Sequence, residues 1–269
     1  MSTEVNIGVN TGASIGVFDS GIGGISILRA LRDELPNEDF IYIADSAHAP
    51  YGDRDDAHVI ARSRSLAAEL MDGGAKALVV ACNTATAAAI HILRADYPLL
   101  PIVGVEPALK PALLSSKTRH IGVMATRSTL ASAKFKSLLA SLGGEAKFTL
   151  QPCDGLADAI EQQVATGDSS KVAALCAHHA QAMGQFGTSS SEIDTLVLGC
   201  THYPFAQAHL RQLLGPQVTF IETGQPIALR TRQLLQERGL LNASGAPGDL
   251  KLQSTGDAGA LQAAVGKWL

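Results

Sequence analysis

The sequence predicts an α/β protein of two similar domains with mainly parallel sheets flanked by helices, the candidate active site lying in the cleft between them. Three observations lead there. Short β-branched runs alternate with longer Ala- and Leu-rich stretches along most of the 269 residues, a pattern of strand–helix–strand units and parallel sheets. A short repeat relates two halves. Ile15-Gly16-Val17 is followed by the polar turn Asp19-Ser20-Gly21, and Ile121-Gly122-Val123 by Thr126-Arg127-Ser128-Thr129. At a comparable distance each half then has an apolar run that ends at a cysteine. These runs are Ala77-Leu78-Val79-Val80-Ala81-Cys82 and Thr195-Leu196-Val197-Leu198-Gly199-Cys200. Eight predicted strands also fit a single eight-stranded barrel; the repeat favours two domains.

In chain order, apolar runs bounded by turn residues predict strands at 14–18, 39–43, 77–81, 102–105, 120–124, 148–151, 195–199 and 218–221. Ala- and Leu-rich stretches between most of them predict helices at 24–35, 57–71, 84–95, 128–142, 156–165 and 171–183. The Gly/Ser-rich patch 187–191 reads as a loop, and 242–248 as a second loop before a short terminal helix.

Composition excludes several classes. Hydrophobic residues make up 46%, aromatics only 4%, and glycine is abundant at 26 residues, a balance suited to a compact α/β core. The formal charge of −4, from 21 basic and 25 acidic residues without long single-sign runs, gives no footprint for nucleic acid. No cationic amphipathic helix points to a membrane surface, and no apolar stretch of about 18 residues points to a span. The polar start, residues 1–14, lacks the basic and apolar regions of a signal peptide. A cytoplasmic protein with four reduced cysteines, Cys82, Cys153, Cys176 and Cys200, is expected. The expected partner is a small molecule. Oligomeric state stays open, a homodimer included.

Cys82 and Cys200 carry the chemistry. Either alone reads as a small buried hydrophobe. As a pair they mean more, because hydroxyl or amide residues follow each where a buried strand would stay apolar: Asn83-Thr84 and Thr201-His202. Positions just past the carboxyl end of a strand line the ligand crevice of α/β sheets. Two thiols on opposite sides of one crevice suit moving a proton from one face of a small molecule to the other. Thr84 and Pro204 each open a helical segment, and helix amino termini lower thiol pKa values. Cys153 and Cys176 lack this setting and read as structural.

Asp19-Ser20-Gly21-Ile22-Gly23-Gly24 leaves the first strand and enters a helix. Its spacing is not that of a dinucleotide fingerprint, and Asp19 would repel phosphate. The carboxylate reads as a partner for a substrate ammonium or a neighbouring base, or equally as a helix cap. His202, two residues past Cys200, can exchange a proton with a thiol near neutral pH. Cys176, His178 and His179 do not share a helical face and read as a solvated helix rather than a metal site. Tyr51 and the Gly52 amide, after Pro50, read as a turn or as groups closing over a small ligand.

These segments resemble a known family. Phe18 to Gly24, Ala49-Pro50-Tyr51-Gly52, Ala81 to Ala87 and Leu198 to Pro204 look like the motifs of the bacterial glutamate racemases, in the same order. Ile102 to Pro107 and Ile121 to Thr126 look like further family segments. Related aspartate racemases share the two-thiol plan. The resemblance implies interconversion of L- and D-glutamate without cofactor or metal, supplying D-glutamate for peptidoglycan. It implies Cys82 and Cys200 as catalytic bases, with Asp19 assisting the first and His202 the second. Substrate contacts would be Asp19, Ser20, Tyr51, Gly52, Asn83, Thr84, Thr201 and His202. It also implies a first domain of residues 1–107 completed by 218–269, and a second of 108–217. One departure stands out. After Cys153 the family usually has proline and a hydrophobic stretch leading to a glutamate. Here the run is Asp154-Gly155-Leu156-Ala157-Asp158-Ala159-Ile160-Glu161, in which Glu161 is a candidate for that glutamate.

Two rival readings remain. A Cys–His hydrolase would use Cys200 and His202 as nucleophile and base and would not need Cys82. A binding protein without catalysis would need neither thiol.

Overall fold

The computed structural model describes residues 13–269; most of the polar amino-terminal segment lies outside the described residues. The chain opens with β1 (Ile15–Asp19), α1 (Ile25–Glu34), β2 (Phe40–Ala44), α2 (Asp56–Asp72), β3 (Ala77–Val80), α3 (Asn83–Asp96) and β4 (Ile102–Gly104). It continues through α4 (Leu109–Ser115), β5 (His120–Ala125), α5 (Arg127–Ala131), α6 (Ala133–Ala140), β6 (Lys147–Pro152), α7 (Leu156–Thr166), α8 (Ser170–Met183), β7 (Thr195–Leu198), α9 (Gln207–Leu214) and β8 (Thr219–Ile221). It ends with α10 (Gly224–Glu237), β9 (Leu250–Ser254) and α11 (Ala258–Trp268).

Two open sheets result, not one barrel. The first has the order β4-β3-β1-β2-β9 and the second β6-β5-β7-β8, and every pairing is parallel. The repeated Ile-Gly-Val segments are β1 and β5, each an interior strand. Strands covered on both faces read as continuous apolar runs, and the cores show why. In the first sheet Val17, Tyr42 and Val79 face α1, α10 and α11. Phe18, Ile43, Leu78 and Val80 face α2 and α3. In the second, Met124, Leu196 and Leu198 pack on α7, α8 and α9, and Ile121, Val123 and Val197 on α4 and α6.

The parallel register aligns strand ends. Asp19 pairs with Ala44, and Phe18 with Val80. Met124 pairs with Leu198, and Ala125 with Pro152. The residues that follow these ends, Ser20, Asp45, Cys82, Thr126, Cys153 and Cys200, therefore leave their sheets at the same edge.

Several expectations are corrected. The segment from 218 was expected to rejoin the first domain, but β8 pairs with β7 in the second sheet; the chain returns only with α10, which packs along α1. The helix expected at 128–142 breaks at Ser132, whose extended backbone (ψ 146°) and side chain cap α6 through the Phe135 N–H. Its Ala-rich run hides the break, because the stop is a side-chain cap rather than Gly or Pro. The terminal strand β9, Leu-Lys-Leu-Gln-Ser, is a half-exposed edge whose alternation is too short to stand out. The helix carrying Cys176 is half-buried, not solvated: His179 is buried and bonded to Gln151 and the Asp154 carbonyl. No helix of the described residues is long and apolar enough to cross a membrane.

One buried ion pair fastens the first sheet's far edge. Lys76 Nζ lies 2.6 Å from Glu38, with both side chains under 5% exposed, and Glu38 also accepts the Asn242 N–H at 2.7 Å. Removing one partner of such a pair strands a buried charge. Lys76→Met is expected to lower unfolding stability by about 3–5 kcal/mol, read from urea denaturation. Loss of the exposed Arg64–Asp96 pair should cost far less.

Candidate active site

The aligned strand ends enclose a cleft with about 640 Å³ of empty space, mouth included. Ser20, Tyr51, Gly52, Asn83, Thr84 and Cys82 line it from the first sheet, and Cys200, Thr201, His202, Thr126, Cys153 and Glu161 from the second. Of the predicted catalytic and substrate-binding residues, Asp19 alone is not in this lining.

Cys82 ends the β3 run and forms the cap of α3, its sulfur accepting the Ala85 N–H at 3.4 Å. Its Sγ is 3.7 Å from Ser20 Oγ. A sulfur at a helix amino terminus was expected to ionise easily. Burial, and then the Asp19 charge, instead push the Cys82 thiol well above its ordinary range. The desolvation of a closed cleft outweighs one helix terminus.

Asp19 is fully buried. Its Oδ2 accepts the Gly24 N–H at 2.6 Å and the Thr201 hydroxyl at 3.4 Å, while Oδ1 is buried without a hydrogen-bond partner. These donors fix the carboxylate through one oxygen and leave the other unpartnered beside the cleft. Burial raises Asp19 to about 6, against the pull of the nearby His202.

Cys200 follows β7 and precedes a 3₁₀ turn at Tyr203–Ala206 that leads into α9. His202 Nδ1 is 3.7 Å from its sulfur. On the other side of the ring, Nε2 is 2.7 Å from Glu161 Oε1. Burial works against a charged imidazole here, but the bonds to Cys200 and Glu161 overcome it and hold His202 well above its usual pKa. Glu161, left unassigned from sequence, thus belongs to the site. Its carboxylate also accepts the Ile22 N–H at 2.8 Å, so it clasps the β1–α1 loop to the second sheet's loops.

That clasp requires glycine. A Cβ at Gly21 would lie 2.0 Å from Glu161 Oε1, and one at Gly23 2.3 Å from His202 Nδ1 and 2.6 Å from Thr201 Oγ1. The glycine loop is therefore a docking surface, not a phosphate cradle. On the opposite wall, Thr84 Oγ1 meets Thr126 Oγ1 at 3.1 Å, joining the two units again. Asn83 donates to the Val105 carbonyl, and its Oδ1 is buried and unpartnered. Tyr51 donates to Asp45 Oδ2 at 2.5 Å and lines the cleft. Cys176 lies in the second core, while Cys153 packs there and also reaches the cleft. Among the described residues no group of three or more His, Cys, Asp or Glu side chains is placed to hold a metal ion.

Thr126, Asp154 and Glu161 were the wall residues hardest to read, since their neighbours carry no doubled motif. Only the turn after the second Ile-Gly-Val repeat pointed to Thr126.

The raised Asp19 makes a stability prediction. Its folded pKa, about 6 against 3.8 for an ordinary carboxyl, means the native state holds the proton more tightly. The destabilisation is absent below about pH 4 and grows as pH rises through about 6. Asp19→Asn keeps an acceptor for the Gly24 N–H and removes the charge. It should be more stable than the parent by roughly 3 kcal/mol at pH 7, with the difference vanishing toward pH 4. Denaturation across this pH range tests it.

Comparison with known proteins agrees with this architecture. Residues 15–229 match the Asp/Glu/hydantoin racemase family. The chain is 46% identical over 253 residues to the glutamate racemase of Ralstonia pickettii, covering 94% of this chain and 86% of that protein. It superposes on glutamate racemase isoform RacE1 of Bacillus anthracis with a TM-score of 0.84 and 30% identity, covering 96% of this chain and 94% of that one. It also superposes on the Escherichia coli glutamate racemase in complex with L-glutamate and the activator UDP-MurNAc-ala, with a TM-score of 0.81 and 27% identity over 95% of each chain. The chain belongs to the Asp/Glu/hydantoin racemase family and is an isomerase.

Proposed function

We propose that the protein interconverts L- and D-glutamate by proton transfer at Cα between Cys82 and Cys200, without a cofactor, and supplies D-glutamate for peptidoglycan synthesis in the cytoplasm. The observation that carries this reading is the placement of two thiols, one from each sheet, on one cleft, each with its own buried acid–base neighbour. The names of the relatives support glutamate as substrate.

The Cα hydrogen of an amino acid is a very weak acid. Its removal needs a base held in place and donors aimed where negative charge develops. One thiolate takes the proton from one face while the opposite thiol gives one to the other face. The hydroxyls of Ser20, Thr84 and Thr201 and the amide of Asn83 suit the substrate carboxylate as it gains charge. A thiol pushed upward, as Cys82 is, makes a stronger base once ionised. Asp19 acts on Cys82 through its charge. His202, kept protonated by Glu161, holds positive charge beside the Cys200 sulfur.

Cys82→Ser and Cys200→Ser are each expected to abolish or severely reduce racemisation while circular dichroism stays native. In deuterium oxide the parent enzyme should place solvent deuterium at Cα of the product from either enantiomer. Near-normal turnover in either variant would exclude the two-thiol scheme. So would product that retains the substrate's own hydrogen, as a single-base mechanism gives. A Cys–His hydrolase would lose activity only with Cys200→Ser.

The helpers should act on opposite sides. Asp19→Asn and His202→Asn are expected to slow turnover by about 10²–10⁴-fold, the usual scale of assisted proton transfer. The equilibrium constant ties the overall rates of the two directions, so the readout is the primary deuterium isotope effect on each enantiomer. Asp19→Asn should change it chiefly for the enantiomer deprotonated by Cys82, and His202→Asn chiefly for the other. Equal changes for both enantiomers in both variants would remove the assigned sides.

A further inference from the structure

The charges at the mouth of the cleft pose a problem for an anionic substrate. Four carboxylates, Asp53, Asp154, Asp158 and Glu161, stand in the lining. Arg127 is the one Lys or Arg among the described residues that joins them. An amino acid with two carboxylates and one ammonium carries net negative charge and would meet repulsion at such a rim. Asp158 is partly offset by Lys171 at 3.4 Å and Glu161 by His202. Lys171 does not line the cleft, and the His202 side chain is only 5% exposed.

We propose that Arg127, paired with Asp154 at the cleft mouth, draws the anionic substrate inward, and that Asp154 weakens that pull by competing for the guanidinium. Arg127 begins α5 directly after the wall residue Thr126, and Asp154 directly follows the wall residue Cys153. The Arg127 Nη2–Asp154 Oδ2 distance is 2.5 Å, yet the two side chains are 66% and 54% exposed. An ion pair this open contributes little to the fold, so its breakage leaves the scaffold intact. The same guanidinium can offer its paired N–H groups to an arriving carboxylate. Asp154 thus occupies N–H groups that an arriving carboxylate would otherwise take.

This inference rests on the proposed glutamate racemisation, and the test separates the two. The measurement is kcat and KM for both enantiomers as ionic strength rises from about 10 mM to about 0.5 M, a range over which screening shortens from tens of ångströms to a few. The parent enzyme should lose kcat/KM as salt rises. Arg127→Ala should lower kcat/KM about 3–10-fold at low salt through KM, leave kcat nearly unchanged, and flatten the salt dependence. Arg127→Lys should restore most of that dependence, because the charge returns. Asp154→Asn should raise kcat/KM at low salt, having removed both a competitor and a repelling carboxylate. An Arg127→Ala enzyme with the parent's KM and salt slope would overturn the proposal. An Asp154→Asn enzyme impaired like Arg127→Ala would also overturn it, since the pair would then be only a structural clasp. A parent enzyme that racemises neither enantiomer of glutamate would instead remove the functional reading on which the proposal stands.

Discussion

The site depends on the close docking of the β1–α1 loop against the loop after β7. Backbone at Gly21 and Gly23 approaches Glu161, Thr201 and His202 more closely than any side chain allows. Three hydrogen bonds hold that approach: Ile22 N–H to Glu161, Ser26 hydroxyl to the Thr201 carbonyl, and Thr201 hydroxyl to Asp19. Because the loops come from different sheets, this contact sets the spacing of the two units and hence of the two thiols. The proposed proton transfer between groups on opposite faces would tolerate little error in that spacing.

The same docking makes the two sides electrostatically unlike. Asp19 is sealed, carries an unpartnered oxygen and sits near pKa 6, so burial governs it. His202 is equally buried, but Glu161 compensates its charge and is itself about a quarter exposed. One of these two groups is thus a carboxylate under strain of desolvation, and the other an imidazolium in a satisfied pair. The thiols inherit these surroundings. Cys82 faces negative charge that holds its proton on, whereas the Cys200 sulfur has the His202 imidazole 3.7 Å away.

A second buried carboxylate organises the cleft wall. Asp45 follows β2 and accepts two bonds from Arg62, at 2.9 and 2.8 Å, with others from Tyr51 and Thr255. Burial alone would raise its pKa, but these donors bring it down to about 2. It remains charged through the working range and never acts as a proton carrier there. Thr255 belongs to the turn after β9, so the carboxyl-terminal strand is tied through Asp45 to the Tyr51 wall. That link explains structurally why the late return of the chain to the first sheet matters to the site.

The sequence by itself determined the strand ends and what stands on them. Apolar runs closing on Cys82 and Cys200 were legible because a parallel strand buried on both faces has no polar residue until it ends. The repeated Ile-Gly-Val segments likewise marked equivalent interior strands. The sequence could not place β8, since three residues carry no record of which sheet they will join, nor β9, whose partner β2 lies some 200 residues away (Phe40 pairs with Leu250). It also could not decide Asp19's surroundings or bring Glu161 to His202, which is 41 residues distant. Residue identity fixes which groups can titrate, while only tertiary packing fixes how much water and which charges each one meets. Those two quantities decide whether a carboxylate is a substrate contact, a buried helper or a clasp.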